Sequence, residues 1–258
     1  VRQRGRERRS RAPRRAPVEL RTPFQYAEVV ADPFRPSLRT LLLDGREAGQ
    51  VDVEDPRRLT FAYMRRIADL VDAFRPAGAA IDALHVGGGA FALARYVAAT
   101  RPASRNDVIE LDPGVVQLAR EQLGLRTSPR LRVHLGDAAA LLPARGERVA
   151  DLVIGDAFDG PDVPAQLATA AWVEQVRRAL KPAGVYALNV VDVPPNLAVE
   201  HHAALLRERF AQVARIGPPG VLRARSPGNV VLLAADVPLP LAALRRAAAA
   251  AVPRELVA

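Results

Sequence analysis

The sequence predicts an α/β fold: an open, doubly wound, mostly parallel sheet with a small N-terminal antiparallel β appendage. Three observations lead there. From Ala80 onward, short apolar runs alternate with helix-patterned segments. One run passes through three glycines straight into a helical pattern, "ALHVGGGAFALARYV" at 83–97. Ahead of both lie strand-like pieces joined by turn residues. Buried parallel strands read as nearly unbroken apolar runs, and their alternation with helices implies a layered sheet with ligands at the carboxyl ends of its strands.

Taken in order, residues 1–15 hold eight arginines and one glutamate, so they carry seven of the nine net positive charges. Such a segment buries too little apolar surface to offset its ordering entropy, which predicts a disordered tail over 1–17. A nucleic-acid-binding arm is the functional alternative for it, and an idle solvated extension is favoured. Residues 18–55 read as a small β domain containing "FQYAEVV", "LRTLLLDG" and "GQVDV". Asp44-Gly45 supplies its turn, because both residues tolerate φ > 0. Residues 56–258 form the expected catalytic domain. It opens with a helix in which Leu59, Tyr63, Ile67, Leu70 and Phe74 recur at helical spacing after Pro56. Strands follow at 81–86, 108–111, 131–135, 152–154 and 185–191, with helices at 91–99, 114–123, 138–142 and 165–180. Pro182-Ala183-Gly184 breaks the last of these helices. A helix at 196–210, strands in "QVARIG" and "NVVLLAAD", and a helix at 239–251 complete the chain.

Composition excludes several chemistries. The absence of cysteine removes disulfides, thiolate metal sites and cysteine nucleophiles. The four histidines, His85, His134, His201 and His202, lack carboxylates at metal-ligand spacing, so no metal is expected. No apolar run reaches the roughly 18 residues that span a bilayer, and the first residues contain no apolar signal core. The expectation is a cytoplasmic protein with no membrane association.

The chemistry gathers at the strand ends. Gly87, Gly88 and Gly89 let a ligand approach the backbone closely, and the following helix offers unpaired N–H groups. With no lysine in the turn, a Walker-type phosphate loop is out. Glu110 ends the next strand about 20 residues later, where a carboxylate accepts hydrogen bonds from ribose hydroxyls. Asp112 reads as the cap of the helix begun by Pro113. Gly136-Asp137-Ala138 ends the third strand, and Asp137 serves equally as an acceptor from an adenine amino group or as a helix cap. The fourth strand ends in "GDAFDGPD", with Asp156 projecting into the site and Asp159 and Asp162 on the turn beyond. Clustered carboxylates suit a cationic partner, and one can take a proton from an ammonium group. The pattern Gly87-x-Gly89-x-x-Ala92 also fits a dinucleotide. However, neither a Tyr-x-x-x-Lys pair nor a catalytic histidine suggests itself for hydride transfer, so a nicotinamide dehydrogenase ranks last.

Over roughly 22–189 this order of motifs resembles the spermidine synthase family, the aminopropyltransferases. "TPFQYAEV" is similar to the family's entry segment, "LLLDG" to its hairpin and "HVGGGAFA" to its Gly-Gly-Gly-Asp-Gly-Gly turn. "VIELDPGVVQLARE", "GDAAALL", "GDAFDG" and "LKPAGVYALNV" match its later strands. The resemblance implies a class I methyltransferase-like Rossmann fold binding S-adenosylmethionine or its decarboxylated form. It assigns donor contacts to Gln25, Gly87, Gly88, Gly89, Glu110, Gly136, Asp137 and Ala138, and makes Asp156 and Asp159 catalytic. It also implies a small-molecule amine acceptor and a homodimer. Two departures stand out. Ala90 replaces the aspartate that grips the aminopropyl ammonium. The family's Tyr-His-Glu triplet reads Phe61-Ala62-Tyr63 before Met64, without its His and Glu. The alternatives are an S-adenosylmethionine-dependent methyltransferase or a nucleoside-binding protein without catalysis.

Overall fold

The computed structural model describes residues 16–251 and 255–258. The expectation for the arginine-rich tail therefore falls almost wholly outside the described residues. The first sheet is an antiparallel meander of β1 (Val18–Arg21), β2 (Tyr26–Ala31), β3 (Leu38–Leu43) and β4 (Arg46–Asp52). Asp44 and Gly45 join β3 to β4 with φ of 47° and 76°, the doubly positive pair that a two-residue hairpin demands.

Helix α1 (Ala62–Phe74) leads into the main sheet. There β5 (Asp82–Val86), α2 (Ala92–Thr100), β6 (Arg105–Glu110), α3 (Pro113–Gln122) and β7 (Leu131–Leu135) build one half. Next come α4 (Ala138–Leu141), β8 (Ala150–Gly155), α5 (Ala170–Ala179), β9 (Leu180–Asp192) and α6 (Leu197–Arg207). The chain closes with β10 (Gln212–Gly217), α7 (Pro219–Leu222), β11 (Gly228–Ala235), α8 (Leu241–Ala250) and β12 (Leu256–Val257). The spatial order is β12-β10-β11-β9-β8-β5-β6-β7. The run from β9 to β7 is parallel throughout, while β11 pairs antiparallel with both β9 and β10. The fold is thus the expected one, a Rossmann-like sheet carrying a small antiparallel β appendage.

Alternating side chains send Ala83 and Val108 to one face of the sheet and Leu84, Val86 and Ile109 to the other. The first face is covered by α1, α2, α3 and the N-terminal sheet; the second packs on α5 and α6. Buried Arg95 of α2 ties the appendage down, donating to the carbonyls of Asp52 and Val53 at 3.3 Å and to that of Leu123 at 3.1 Å.

Three local readings change. The first helix begins at Ala62 rather than near Pro56, because Asp52 accepts from the amides of Glu54 and Asp55 and bends the chain there. The helix expected at 165–180 divides into a 3₁₀ turn, Ala165–Leu167, and α5, whose start is capped by Thr169 accepting from Trp172 N at 3.1 Å. It ends at Ala179, so Pro182 lies inside the irregular start of β9.

The chain runs outward from β5 through β6 and β7, then crosses back to place β8 on the other side of β5. The C-terminal ends of β5 and β8 therefore flank the point where the topology reverses, the crevice in which such sheets bind ligands. Gly87 sits there at φ 92°, and a Cβ on it would lie 2.4 Å from the Asp156 carbonyl oxygen. Gly87→Ala is expected to cost at least about 2 kcal/mol from backbone strain and this clash together. The denaturant midpoint of the variant measures it; an unshifted midpoint would mean that the crossing relaxes freely.

Candidate active site

The glycine turn is fixed from below and from the side. Gly87 N donates to Ile109 O at 2.9 Å and Asp156 N donates to Val86 O at 2.8 Å, so the parallel ladder carries on past both strand ends. Glu110, at the end of β6, then reaches across. Its Oε2 accepts from Gly88 N at 2.7 Å and Gly89 N at 3.3 Å, and its Oε1 accepts from Asp112 N at 2.9 Å. Burial pushes the Glu110 carboxyl above its ordinary range, while these three amides oppose that shift by favouring the charged form.

Gln25 belongs to the same cluster. Its Nε2 donates to Asp112 Oδ2 at 3.2 Å, the oxygen that Thr22 Oγ1 meets at 2.6 Å. The other Asp112 oxygen caps α3 through Gly114 N at 2.8 Å. One aspartate thus joins the β1–β2 loop, the α3 N-terminus and the Glu110 carboxylate. Gly136 sits at φ 144°, and its amide donates to Glu110 O at 2.9 Å. Asp137 is exposed and caps α4 through Ala139 N at 2.8 Å, while Ala138 is buried against the core.

Asp156, on the opposite lip, holds a different set of partners. Asn189 Nδ2 donates to its Oδ1 at 2.8 Å and the Tyr63 hydroxyl to its Oδ2 at 3.0 Å. Asn229 Nδ2 in turn donates to Asn189 Oδ1 at 3.0 Å, so the chain of donors crosses from β11 to β9 to the end of β8. Burial raises the Asp156 carboxyl to about 6, with the Asn189 and Tyr63 hydrogen bonds pulling the other way. Tyr63 is pushed well above its ordinary range by burial and by the neighbouring carboxylate. Two of the four lone-pair sites of Asp156 stay free for a ligand.

Asp159 stands apart from this network. It is exposed, and its backbone pairs with that of Asp162 across the Gly160-Pro161 turn. The structure therefore brings Glu110 onto the glycine turn, sets Asp156 beside it across the switch point and leaves Asp159 on the rim.

The residue after the third glycine has an explanation in the packing. Ala90 is 2% exposed, and a Cβ on Gly49 of β4 would lie 2.8 Å from Ala90 Cβ. The appendage thus rests directly on the turn. The next residue, Phe91, adopts a left-handed conformation at φ 57°, costing about 1–2 kcal/mol in a non-glycine residue. Its buried ring lies against Gly88, where a Cβ would come within 2.5 Å of the ring. A cavity of only about 10 Å³ lies between Asp156, Gly87, Gly88, Phe91, Met64 and His85.

Sequence reasoning missed the partners of Asp156. Asn189, a polar residue 1% exposed inside the apolar run "VYALNVV", was the available signal for one of them. Leu111 and Leu135 are 46% and 54% exposed beside Glu110 and Gly136; apolar side chains bared at two neighbouring strand ends suit a flat base.

Comparison with known proteins bears on the family and the fold. Residues 60–207 match the model of the spermine/spermidine synthase domain. A polyamine aminopropyltransferase of Vibrio vulnificus is 29% identical over 201 residues, 76% of this chain and 64% of that protein. The eEF1A lysine and N-terminal methyltransferase of Danio rerio is 30% identical over 131 residues, 47% of this chain and 19% of that protein. The chain thus spans less than two thirds of either relative. A crystal structure of a probable spermidine synthase from Corynebacterium glutamicum superposes with a TM-score of 0.87 at 27% identity, covering 94% of this chain and 90% of that one. By the domain match over more than half its length, the chain belongs to the spermine/spermidine synthase family.

Proposed function

We propose that this protein is a transferase that binds an S-adenosyl sulfonium donor and passes an aminopropyl or other alkyl group to an amine. The observation that carries the reading is the pairing of Glu110, bonded to the glycine turn, with Asp156 across the switch point. The residues present fit a nucleoside. Glu110 would accept from a ribose hydroxyl at the one lone-pair site that its three amide partners leave on Oε1, Gln25 lies beside it through Asp112, and Gly136, Asp137 and Ala138 would border the base. Two carboxylates without an ion-pair partner among the described residues, Glu110 buried and Asp156 partly buried, suit a cationic ligand.

The donor supplies a carbon made electrophilic by sulfonium, and the C–S bond breaks as the C–N bond forms. The leaving thioether is neutral and needs no acid. What remains is to present the amine with its lone pair free. Asp156 takes the proton at its unshared lone pairs, and Tyr63 and Asn189 fix its orientation. Asp159 on the rim would hold the acceptor's remaining charge. A homodimer and a cytoplasmic setting belong to the same reading. Among the described residues no helix is long and apolar enough to cross a membrane.

Methyl transfer from S-adenosylmethionine is the second reading. It is favoured by Ala90, which packs against Gly49 and offers no carboxylate to a decarboxylated donor's ammonium.

Product analysis with both donors and a panel of amines separates the two readings. Putrescine converted to spermidine supports the first and a methylated amine the second; no turnover with either donor overturns both. In whichever reaction runs, Asp156→Asn should lower kcat by about 10²–10⁴-fold, the usual contribution of a general base. Retention of most activity would remove its role.

The pH profile supplies a second check. A base raised to about 6 must lose its proton to work, so kcat/KM should climb through about pH 6 and level off above it. Tyr63→Phe deletes a donor that favours the carboxylate form, so the rising limb should move to higher pH. A limb that stays in place would assign the pH dependence to another group. Calorimetry with methylthioadenosine tests the nucleoside site: Glu110→Ala should weaken binding about ten- to a hundredfold, and unchanged affinity would move the site elsewhere.

A further inference from the structure

The opposite end of the sheet carries a second concavity. The crossover from β7 to β8 contains only α4, four residues long, and a 3₁₀ turn at Pro143–Arg145. Beside so short a connection, at the N-terminal halves of β5 and β6, a cleft of about 420 Å³ opens. This volume lies within the range of small-ligand sites. On β5 the cleft runs from Asp82 to Leu84, which lies about 10 Å along the strand from Gly87.

The lining is amphipathic. Leu84, Leu141 and Val149 give it an apolar floor, while Arg105, Arg132 and Arg145 stand around it. The arginines are not equally committed. Arg132 makes a two-pronged contact with Asp107, 2.9 Å from each oxygen, and His134 shares that carboxylate at 2.8 Å. Arg145 comes no nearer to Asp107 than 3.7 Å, and its Nε is buried without a hydrogen-bond partner. Arg105 lies 4.0 Å from Asp82, whose other oxygen is held by Lys181 at 2.6 Å. Both carboxylates in the cleft are therefore already engaged, while two guanidinium groups have hydrogen-bonding capacity left. A guanidinium fork matches carboxylate and phosphate oxygens.

We propose that this cleft is a binding site for a small organic anion, a carboxylate or phosphate ester on an apolar body. Arg105 and Arg145 take the charged group and the Leu84–Leu141–Val149 floor takes the body. The site is separate from the candidate active site and does not rest on the function proposed for it.

Calorimetry on the full chain with phenyl phosphate, benzoate, inorganic phosphate and benzyl alcohol tests this. Phenyl phosphate, benzoate or both should bind at least tenfold tighter than inorganic phosphate, which lacks the body, and benzyl alcohol, which lacks the charge. The relative strength of the first two tells a phosphate from a carboxylate ligand. Arg145→Gln combined with Arg105→Gln should weaken the better probe about ten- to a hundredfold. Arg105→Gln alone, at a side chain 57% exposed, should weaken it without disturbing the fold. Glu110→Ala should leave this binding intact. No heat from either charged probe up to about 10 mM, equal affinity for benzyl alcohol, full affinity in the double variant or loss in Glu110→Ala would each overturn the proposal.

Discussion

The candidate site depends on two backbones meeting where β5 and β8 end. Gly87 has no Cβ, and this alone lets the Asp156 carbonyl lie against it. From that approach the rest of the site follows. The Gly87 amide is free to continue the ladder to β6, which brings Glu110 level with the turn; the Asp156 amide continues the ladder to β5, which aims its side chain at the same space. A larger residue at 87 would separate the two lips and with them the two carboxylates.

Those carboxylates share an electrostatic design. Neither Glu110 nor Asp156 has a cationic partner among the described residues; each is held by neutral donors, backbone amides for one and Tyr63 with Asn189 for the other. Neutral donors fix orientation without cancelling charge, so the pocket keeps an unsatisfied negative potential. By contrast, charged partners go to the carboxylates at the other end of the sheet. Asp107 meets Arg132 in a two-pronged pair, and Asp82 and Asp151 share Lys181. One end of the molecule neutralises its acids and the other preserves them.

The glycine turn, Glu110 and Asp156 were legible in the sequence because local rules create them. A strand must stop, glycine must turn it, and an acid at a strand end has few places to point. The strand order follows in part from the same alternation, but the reversal of β11 is invisible in "NVVLLAAD", since an apolar run carries no direction. Tyr63 was hidden because its helical spacing reads as a core face, and its partner lies 93 residues away. Asp137 was open between two uses, and its side chain spends one oxygen on the α4 cap. The break at Thr169 was missed because the helical pattern continues across it and only the cap geometry gives it away.

The three amides that Glu110 accepts have a consequence for dynamics. A glycine-rich loop is ordinarily the most mobile part of a nucleotide site, and ordering it on binding costs entropy. Here Gly88 and Gly89 are already anchored before any ligand arrives, and Ala90 is wedged against the appendage. The entropy of the loop has been spent during folding. A ligand meeting such a turn finds the backbone of Gly88 and Gly89 already held by Glu110.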